Sequence, residues 1–247
     1  MPAKTEISVD DLVIEITRRC NMRCDHCLRG DARNLDMPEN VIDEILDAVD
    51  EISIVTFTGG EPSINLPIME YFFRRAKAVG KFPNAFFVAT NGHENQPELA
   101  RILLEAWQDC ADQDACGVAL SEDGFHDGLQ SGYVRGLKFY QPTKERSAGD
   151  YDKWVIASGR AAQFGFGREP ITQTAFSADE SEYPDGTVSR TVDTLYVAAD
   201  GFVYPDCDLA YDIMDLNRKL KISDFRDYLF NLDLSGQNEA PTFLENM

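Results

Sequence analysis

The sequence predicts an α/β protein with a largely parallel sheet, and three observations predict it. Short, β-branched apolar runs alternate with segments whose apolar residues recur at helical spacing through residues 12–121. The connections between them are short, which favours parallel strands joined by right-handed crossovers. The residues with chemical capability stand just after strand ends, the face on which ligands bind in (β/α) barrels and doubly wound sheets alike.

Residues 12–17, Leu-Val-Ile-Glu-Ile-Thr, read as the first strand. Met37-Pro38-Glu39 then opens a helix carrying Val41, Ile42, Ile45, Leu46 and Val49. Proline near the first turn, with acidic side chains beside it, marks a helix start. Residues 52–58 form a second short, buried strand. A helix over 67–79 follows, with Ile68, Met69, Phe72, Phe73 and Ala76 along one side. Residues 84–90 are a third strand, ended by Asn91-Gly92. The helix after Gln96-Pro97 carries Leu99, Ile102, Leu103, Ala106 and Trp107, and residues 117–121 are a fourth strand. Beyond Ser131 the pattern is less regular. Residues 136–140 and 153–157 are strand candidates, with a polar loop over 141–151 between them. The glycine- and proline-containing stretch 164–170 sets a domain edge, dividing residues 1–168 from 169–247. In the second part, 194–199 and 202–204 flank Asp200-Gly201, a primed-turn hairpin signal. A short helix is expected over 222–230, and a loosely ordered tail over 233–247.

A chain of 247 residues with 43% hydrophobic content and 15 phenylalanines can fill the core of one sizeable domain. Its net charge of −20, from 43 acidic against 23 basic residues, repels phosphate backbones and anionic headgroups. Nucleic acid is therefore an unlikely partner. No apolar run approaches the roughly 20 residues needed to span a bilayer, and Met1 to Glu6 lack the apolar stretch of a signal peptide. The expectation is a cytoplasmic protein with no membrane partner. Three of the six cysteines are clustered at ligand spacing, which fits reduced thiols better than a disulfide framework.

Those three, Cys20, Cys24 and Cys27, stand at C-x3-C-x2-C spacing in the loop after the first strand. Three thiolates in one loop can grip three irons of a cubane cluster and leave the fourth iron open for chemistry. On the cysteines alone, a zinc knuckle completed by Cys207 or a histidine stays open, as do buried thiols with no ligand. The loop after the second strand reads Gly59-Gly60-Glu61-Pro62. Its glycines let backbone groups approach a ligand closely, and its carboxylate can accept hydrogen bonds from an ammonium group. By itself it would be a tight turn with a solvent-facing glutamate.

C-x3-C-x2-C followed by GGEP at the next strand end resembles the radical SAM superfamily. The resemblance implies a partial (β/α)6 barrel with a small C-terminal β-hairpin and helix extension. It implies that Cys20, Cys24 and Cys27 ligate a [4Fe–4S] cluster, and that S-adenosyl-L-methionine completes the fourth iron. Gly59, Gly60, Glu61 and Pro62 would hold the amino group of its methionine moiety. His26 falls where the family usually has an aromatic residue. Thr90 and Asn91 resemble the T-N-G turn lining the cofactor pocket, and Ser121, in Ser121-Glu122-Asp123-Gly124, would approach the carboxylate or ribose. Residues 158–161 match more loosely the strand that passes the adenine.

The implied chemistry takes one electron from an external reductant of flavodoxin or ferredoxin type. Reductive cleavage of the cofactor then gives methionine and a 5′-deoxyadenosyl radical, which abstracts a hydrogen atom from the substrate. The protein's part is position and electronics. Arg18, Arg19, Arg23 and Arg29 read as solvated surface charge, although in this family setting they would favour the more negative, reduced cluster. Residues 200–207, with 213–216 and 222–225, are similar to the opening of SPASM and twitch extensions, which bind auxiliary clusters through several cysteines. Here only Cys207 stands in that region. A reduced extension that covers the barrel mouth and has lost its auxiliary cluster is expected, with Cys207 a buried thiol or a substrate contact. Cys110 and Cys116 read as core residues. A peptide or protein side chain is the expected substrate. The alternatives are a small metabolite or nucleotide and, outside enzymes, a non-catalytic zinc- or cluster-binding scaffold.

Overall fold

Strand β1 (Thr5–Thr17) has parallel neighbours on both sides, which is why its second half, Leu12–Thr17, is buried on both faces and apolar apart from Glu15 and Thr17. The computed structural model describes residues 4–123, 125–126, 132–142, 154–170 and 173–232. On one side of β1 lie β2 (Glu51–Gly59), β3 (Ala85–Thr90) and β4 (Gly117–Leu120), each parallel to the one before. Helices α1 (Glu39–Ala48), α2 (Leu66–Val79) and α3 (Gln96–Asp109) make the crossovers. Their buried faces carry the predicted residues, among them Ile42, Ile45, Met69, Phe72, Leu99 and Leu103. Edge-to-face contacts of Phe57 with Phe72 and Phe73 at 5.5 and 5.4 Å knit β2 to α2. Gly80 ends α2 in the left-handed conformation (φ 74°), where it donates back to Ala76 and Lys77.

The structure departs from the sequence reading beyond Leu120. Residues 136–140 are not a strand. A helical turn, α4 (Gly132–Arg135), precedes them, and Tyr140 makes one parallel bridge to Val118. Among the described residues of 153–157, Ile156 makes only an isolated bridge, to Arg168, before α5 (Gly159–Gln163). The expected fifth and sixth barrel strands are thus reduced to single bridges, and the sheet is a partial barrel that does not close. Residues 143–151 of the expected loop and the tail 233–247 lie outside the described residues.

The chain after residue 168 does more than add a hairpin. Strand β6 (Val188–Val197) pairs parallel with β1 from Thr5↔Val188 to Ile14↔Val197, so it continues the main sheet on the side away from β2. Sequence periodicity cannot reveal a partner some 180 residues away. Strand β5 (Ala178–Glu182) adds an antiparallel edge whose exposed acidic side chains discourage further pairing. The predicted hairpin is present: β7 (Val203–Tyr204) returns on β6, with Gly201 at φ 79° in the turn. Short helices α6 (Tyr211–Leu216) and α7 (Ile222–Asn231) follow, and α7 packs against α1.

A buried polar knot ties the end of β1 to that hairpin. The Glu15 carboxylate is fully buried and accepts from Arg18 Nε (2.6 Å), the Tyr196 hydroxyl (2.6 Å) and the Ala199 N–H (3.0 Å). Removing one partner of a buried ion pair leaves an uncompensated charge and costs about 3–5 kcal/mol. Glu15→Ala should therefore lower the unfolding free energy in urea by about that amount; a loss below about 1 kcal/mol would show that the knot does not secure the hairpin.

Candidate functional site

Four strand ends converge on one mouth. Strand β1 leads into the cysteine loop, β2 into GGEP, β3 into Thr90-Asn91-Gly92 and β4 into Ser121. The first two loops lie in backbone contact: Gly60 N donates to Thr17 O (2.8 Å) and Glu61 N to Arg19 O (2.9 Å). A Cβ on Gly59 would sit 2.1 Å from the Thr17 carbonyl oxygen, and one on Gly60 would sit 2.2 Å from that of Arg19. Both glycines are thus required by loop-on-loop packing, a demand that precedes any ligand.

Glu61 is not the solvent-facing turn residue of the simplest reading. It is buried, and its Oε1 accepts from Ser63 N (3.0 Å) and Thr90 Oγ1 (2.6 Å) while Oε2 accepts from Asn91 N (2.8 Å). A carboxylate offers about four acceptor positions, so room for one further donor remains. Thr90 is spent inside this knot, also accepting from Gly92 N (3.1 Å), and it is the one predicted site residue away from the cavity. Cys20, Cys24, Cys27, His26, Gly59, Gly60, Glu61, Pro62, Asn91 and Ser121 all line a single cavity of about 830 Å3.

The three thiols are half-buried, and burial pushes that of Cys20 up to about 11. Arg160, visible in the sequence only as part of the loose match over 158–161, fixes their loop from below. Its N–H donates to Cys27 O (2.9 Å), its Nε to Cys24 O (3.1 Å) and its remaining nitrogens to Asp25 (2.6 Å) and Asp31 (3.2 Å). Gly159 (φ 54°) lets this contact form, since a Cβ there would meet the Leu28 carbonyl oxygen at 2.4 Å. Residues 159 and 160 thus abut the cysteine loop.

Among the described residues, the sets of three ligand atoms lying within 4.8 Å of one another are His26–Asp123–His126 and Asp206–Cys207–Asp208. The three loop cysteines share one cavity. Thiolates are soft donors that suit zinc and iron–sulfur clusters, and three of them fit an iron–sulfur cube with one iron left over.

A second cavity adjoins the first and shares His26, Ala89, Ser121 and His126 with it. Phe87, Ala119, Leu120 and Trp154 give it an apolar wall. His26 stacks on Phe125 (4.2 Å between centroids) and meets His126 and Trp154 edge-on, so it does fill an aromatic position. His126 Nδ1 lies 2.8 Å from Asp123.

Two of the four loop arginines are not surface charge. Arg18 and Arg29 are buried; Arg18 bonds Glu15 and Asp215, and Arg29 donates to Leu209 O (2.7 Å). Arg23 is solvated as expected, paired loosely with Asp31, and Arg19 pairs with Asp36 while partly exposed. Cys207 is half-buried and lies off the cavity, with its thiol pushed up to about 11 by burial. Cys110 and Cys116 are buried in the core.

Residues 14–115 match the model of the Radical SAM superfamily. A stretch of 63 residues is 38% identical to an uncharacterized protein of Methanocaldococcus jannaschii, covering 24% of this chain and 22% of that protein. The match thus spans about a fifth of that relative's length. Among solved structures, the chain resembles hexahistidine-tagged anSMEcpe with bound AdoMet (16% identity, TM-score 0.56, covering 97% of this chain and 81% of that one). It also resembles native anSMEcpe with bound AdoMet and a peptide (15% identity, TM-score 0.54, 97% and 84%). At such identities the likeness shows a shared fold, and no helix among the described residues is long and apolar enough to cross a membrane.

Burial alone would lower the His126 pKa, but the contacts with Asp123 and Cys24 outweigh it and raise it from the ordinary 6.5 to about 9. A raised folded-state pKa contributes stability that is complete below pH 6.5 and lost as the pH climbs through about 9. The metal-free protein should therefore lose thermal stability across that window, and His126→Gln should flatten the profile. Identical profiles for the two proteins would show that the contact is not made.

Proposed function

We propose that this chain, which carries a radical SAM domain over residues 14–115, is an enzyme that binds a [4Fe–4S] cluster and S-adenosyl-L-methionine in the 830 Å3 cavity. The observation that carries the reading is the meeting of three thiols with the GGEP loop and Ser121 on that one cavity. When bound, the cluster and cofactor supply a 5′-deoxyadenosyl radical that takes a hydrogen atom from a substrate C–H bond.

The chain's own residues have separate tasks in this reading. Cys20, Cys24 and Cys27 would hold the cluster, and Arg160 fixes the loop that carries them through the carbonyls of Cys24 and Cys27. Glu61 keeps one acceptor position for the cofactor's ammonium group, while its other bonds lock Thr90 and Asn91 in place. Asn91 and Ser121 border the same cavity and suit the cofactor's carboxylate and ribose hydroxyls. The adjoining apolar cavity, reached past His26 and His126, is where a substrate side chain would sit, away from bulk water. A peptide or protein side chain remains the preferred substrate, supported by the peptide bound to one protein of the same fold. An external one-electron reductant of flavodoxin or ferredoxin type would feed the cluster.

The test is anaerobic reconstitution with iron and sulfide, reduction, and detection of 5′-deoxyadenosine. Wild-type protein should release it, and Cys24→Ala should lose both iron and turnover. Glu61→Gln should retain iron yet bind S-adenosyl-L-methionine about tenfold more weakly, the loss of about one charge-assisted hydrogen bond. Release of 5′-deoxyadenosine by Cys24→Ala, or its absence from the iron-loaded wild type, would overturn the reading. Candidate peptides and small metabolites, added in turn, should raise the yield only for the right class.

A further inference from the structure

Three metal-binding side chains other than the cysteines meet where the two cavities join. His26 stands in the loop after β1, and Asp123 and His126 stand in the loop after β4. One ligand atom from each lies within 4.8 Å of the other two. His126 Nδ1 is 2.8 Å from Asp123 Oδ1, and His26 Nε2 is 3.8 Å from Asp123 Oδ2. The carboxylate thus presents one oxygen to each imidazole. A metal with bonds of about 2.0–2.2 Å holds neighbouring ligands about 3.0–3.5 Å apart. Movements of about 1 Å or less per side chain bring these three onto one ion.

The packing already orients the donors. Phe125 N donates to Asp123 Oδ1 (2.9 Å), which fixes the carboxylate within its own loop. The His26 ring stacks on Phe125 at 4.2 Å and meets the His126 ring edge-on at 5.2 Å. Both hydrogen bonds of Asp123 among the described residues fall on Oδ1, and Oδ2 faces His26. His26, Asp123 and His126 keep 15, 6 and 13% of their side-chain surface exposed, so an ion there would be shielded yet reachable. A structural histidine–aspartate pair accounts for Asp123 and His126. It does not account for a second imidazole at the other oxygen of the same carboxylate. Two imidazoles and one carboxylate are the donor set of zinc and non-haem iron(II) sites that keep positions open.

We propose that His26, Asp123 and His126 bind one divalent transition-metal ion, zinc or iron(II), at the junction of the two cavities. This site shares no ligand with Cys20, Cys24 and Cys27, so it does not depend on their holding a cluster. Three protein donors leave coordination positions for a further ligand. All three residues border the apolar cavity, which gives a carboxylate, thiol or hydroxyl of a substrate access to them.

Cobalt(II) is the probe, because its visible spectrum reports the ligand set. Imidazoles must be neutral to bind a metal, so the titration is run at about pH 8. Metal-free wild-type protein, reduced and anaerobic, should take up one equivalent whose spectrum lacks thiolate-to-metal charge transfer, besides any bound by cysteines. Two of the three histidines should show contact-shifted ring protons by nuclear magnetic resonance, with His93 the exception. That readout needs no variant. Asp123→Asn and His126→Gln should each weaken the sulfur-free equivalent more than about 100-fold, beyond the loss seen when only a ligand's hydrogen-bond partner is changed. The triple variant Cys20→Ser, Cys24→Ser, Cys27→Ser should retain it, whether or not wild-type protein loads a cluster. Absence of a sulfur-free equivalent, its survival undiminished in Asp123→Asn or His126→Gln, or uptake that always carries thiolate charge transfer would overturn the proposal.

Discussion

Two backbone strands pass each other at the barrel mouth with no room for a β-carbon between them. The carbonyls of Thr17 and Arg19 receive the N–H groups of Gly60 and Glu61, and any side chain on Gly59 or Gly60 would overlap those carbonyls. This seam fixes the start of the cysteine loop against the start of the GGEP loop. Everything chemical in the molecule depends on that juxtaposition, because it puts thiols from one strand end and a carboxylate from the next on one cavity. The Glu61 carboxylate then extends the order to the third strand end by gripping Thr90 and Asn91.

A second layer of constraint comes from parts of the chain that contribute no ligand. Arg160 holds the carbonyls of Cys24 and Cys27. Glu15 and Arg18 bind the hairpin and α6 to the end of β1. Buried ion pairs of this kind give little net stability, since desolvation offsets most of the attraction. What they do here is define position, because each demands particular partners in particular places. The cysteine loop is thereby held from below by α5 and from the side by α6.

Local features of the fold were legible in the sequence, and non-local ones were not. The helical spacing of Ile68, Met69, Phe72 and Phe73 placed α2, and Asp200-Gly201 placed the hairpin turn. Both signals lie within a dozen residues. The parallel pairing of β6 with β1 joins chain segments far apart and leaves no periodic trace. Residues 136–140 carry strand-forming composition, yet β4 spans only four residues and offers them a single bridge. The site shows the same division. The spacing of Cys20, Cys24 and Cys27 and the order of GGEP after them foretold which residues share the cavity. Thr90 was placed at the right strand end but faces Glu61 instead. The clamp by Arg160 and the burial of Arg18 depend on tertiary packing that no single stretch encodes.

The most direct measurement is Mössbauer spectroscopy of protein loaded anaerobically with Mössbauer-active iron, recorded before and after S-adenosyl-L-methionine is added. One iron of a four-iron cluster should change its isomer shift on addition, while the three bound by Cys20, Cys24 and Cys27 keep theirs. Four irons that ignore the cofactor, or a tetrahedral zinc in their place, would contradict the account.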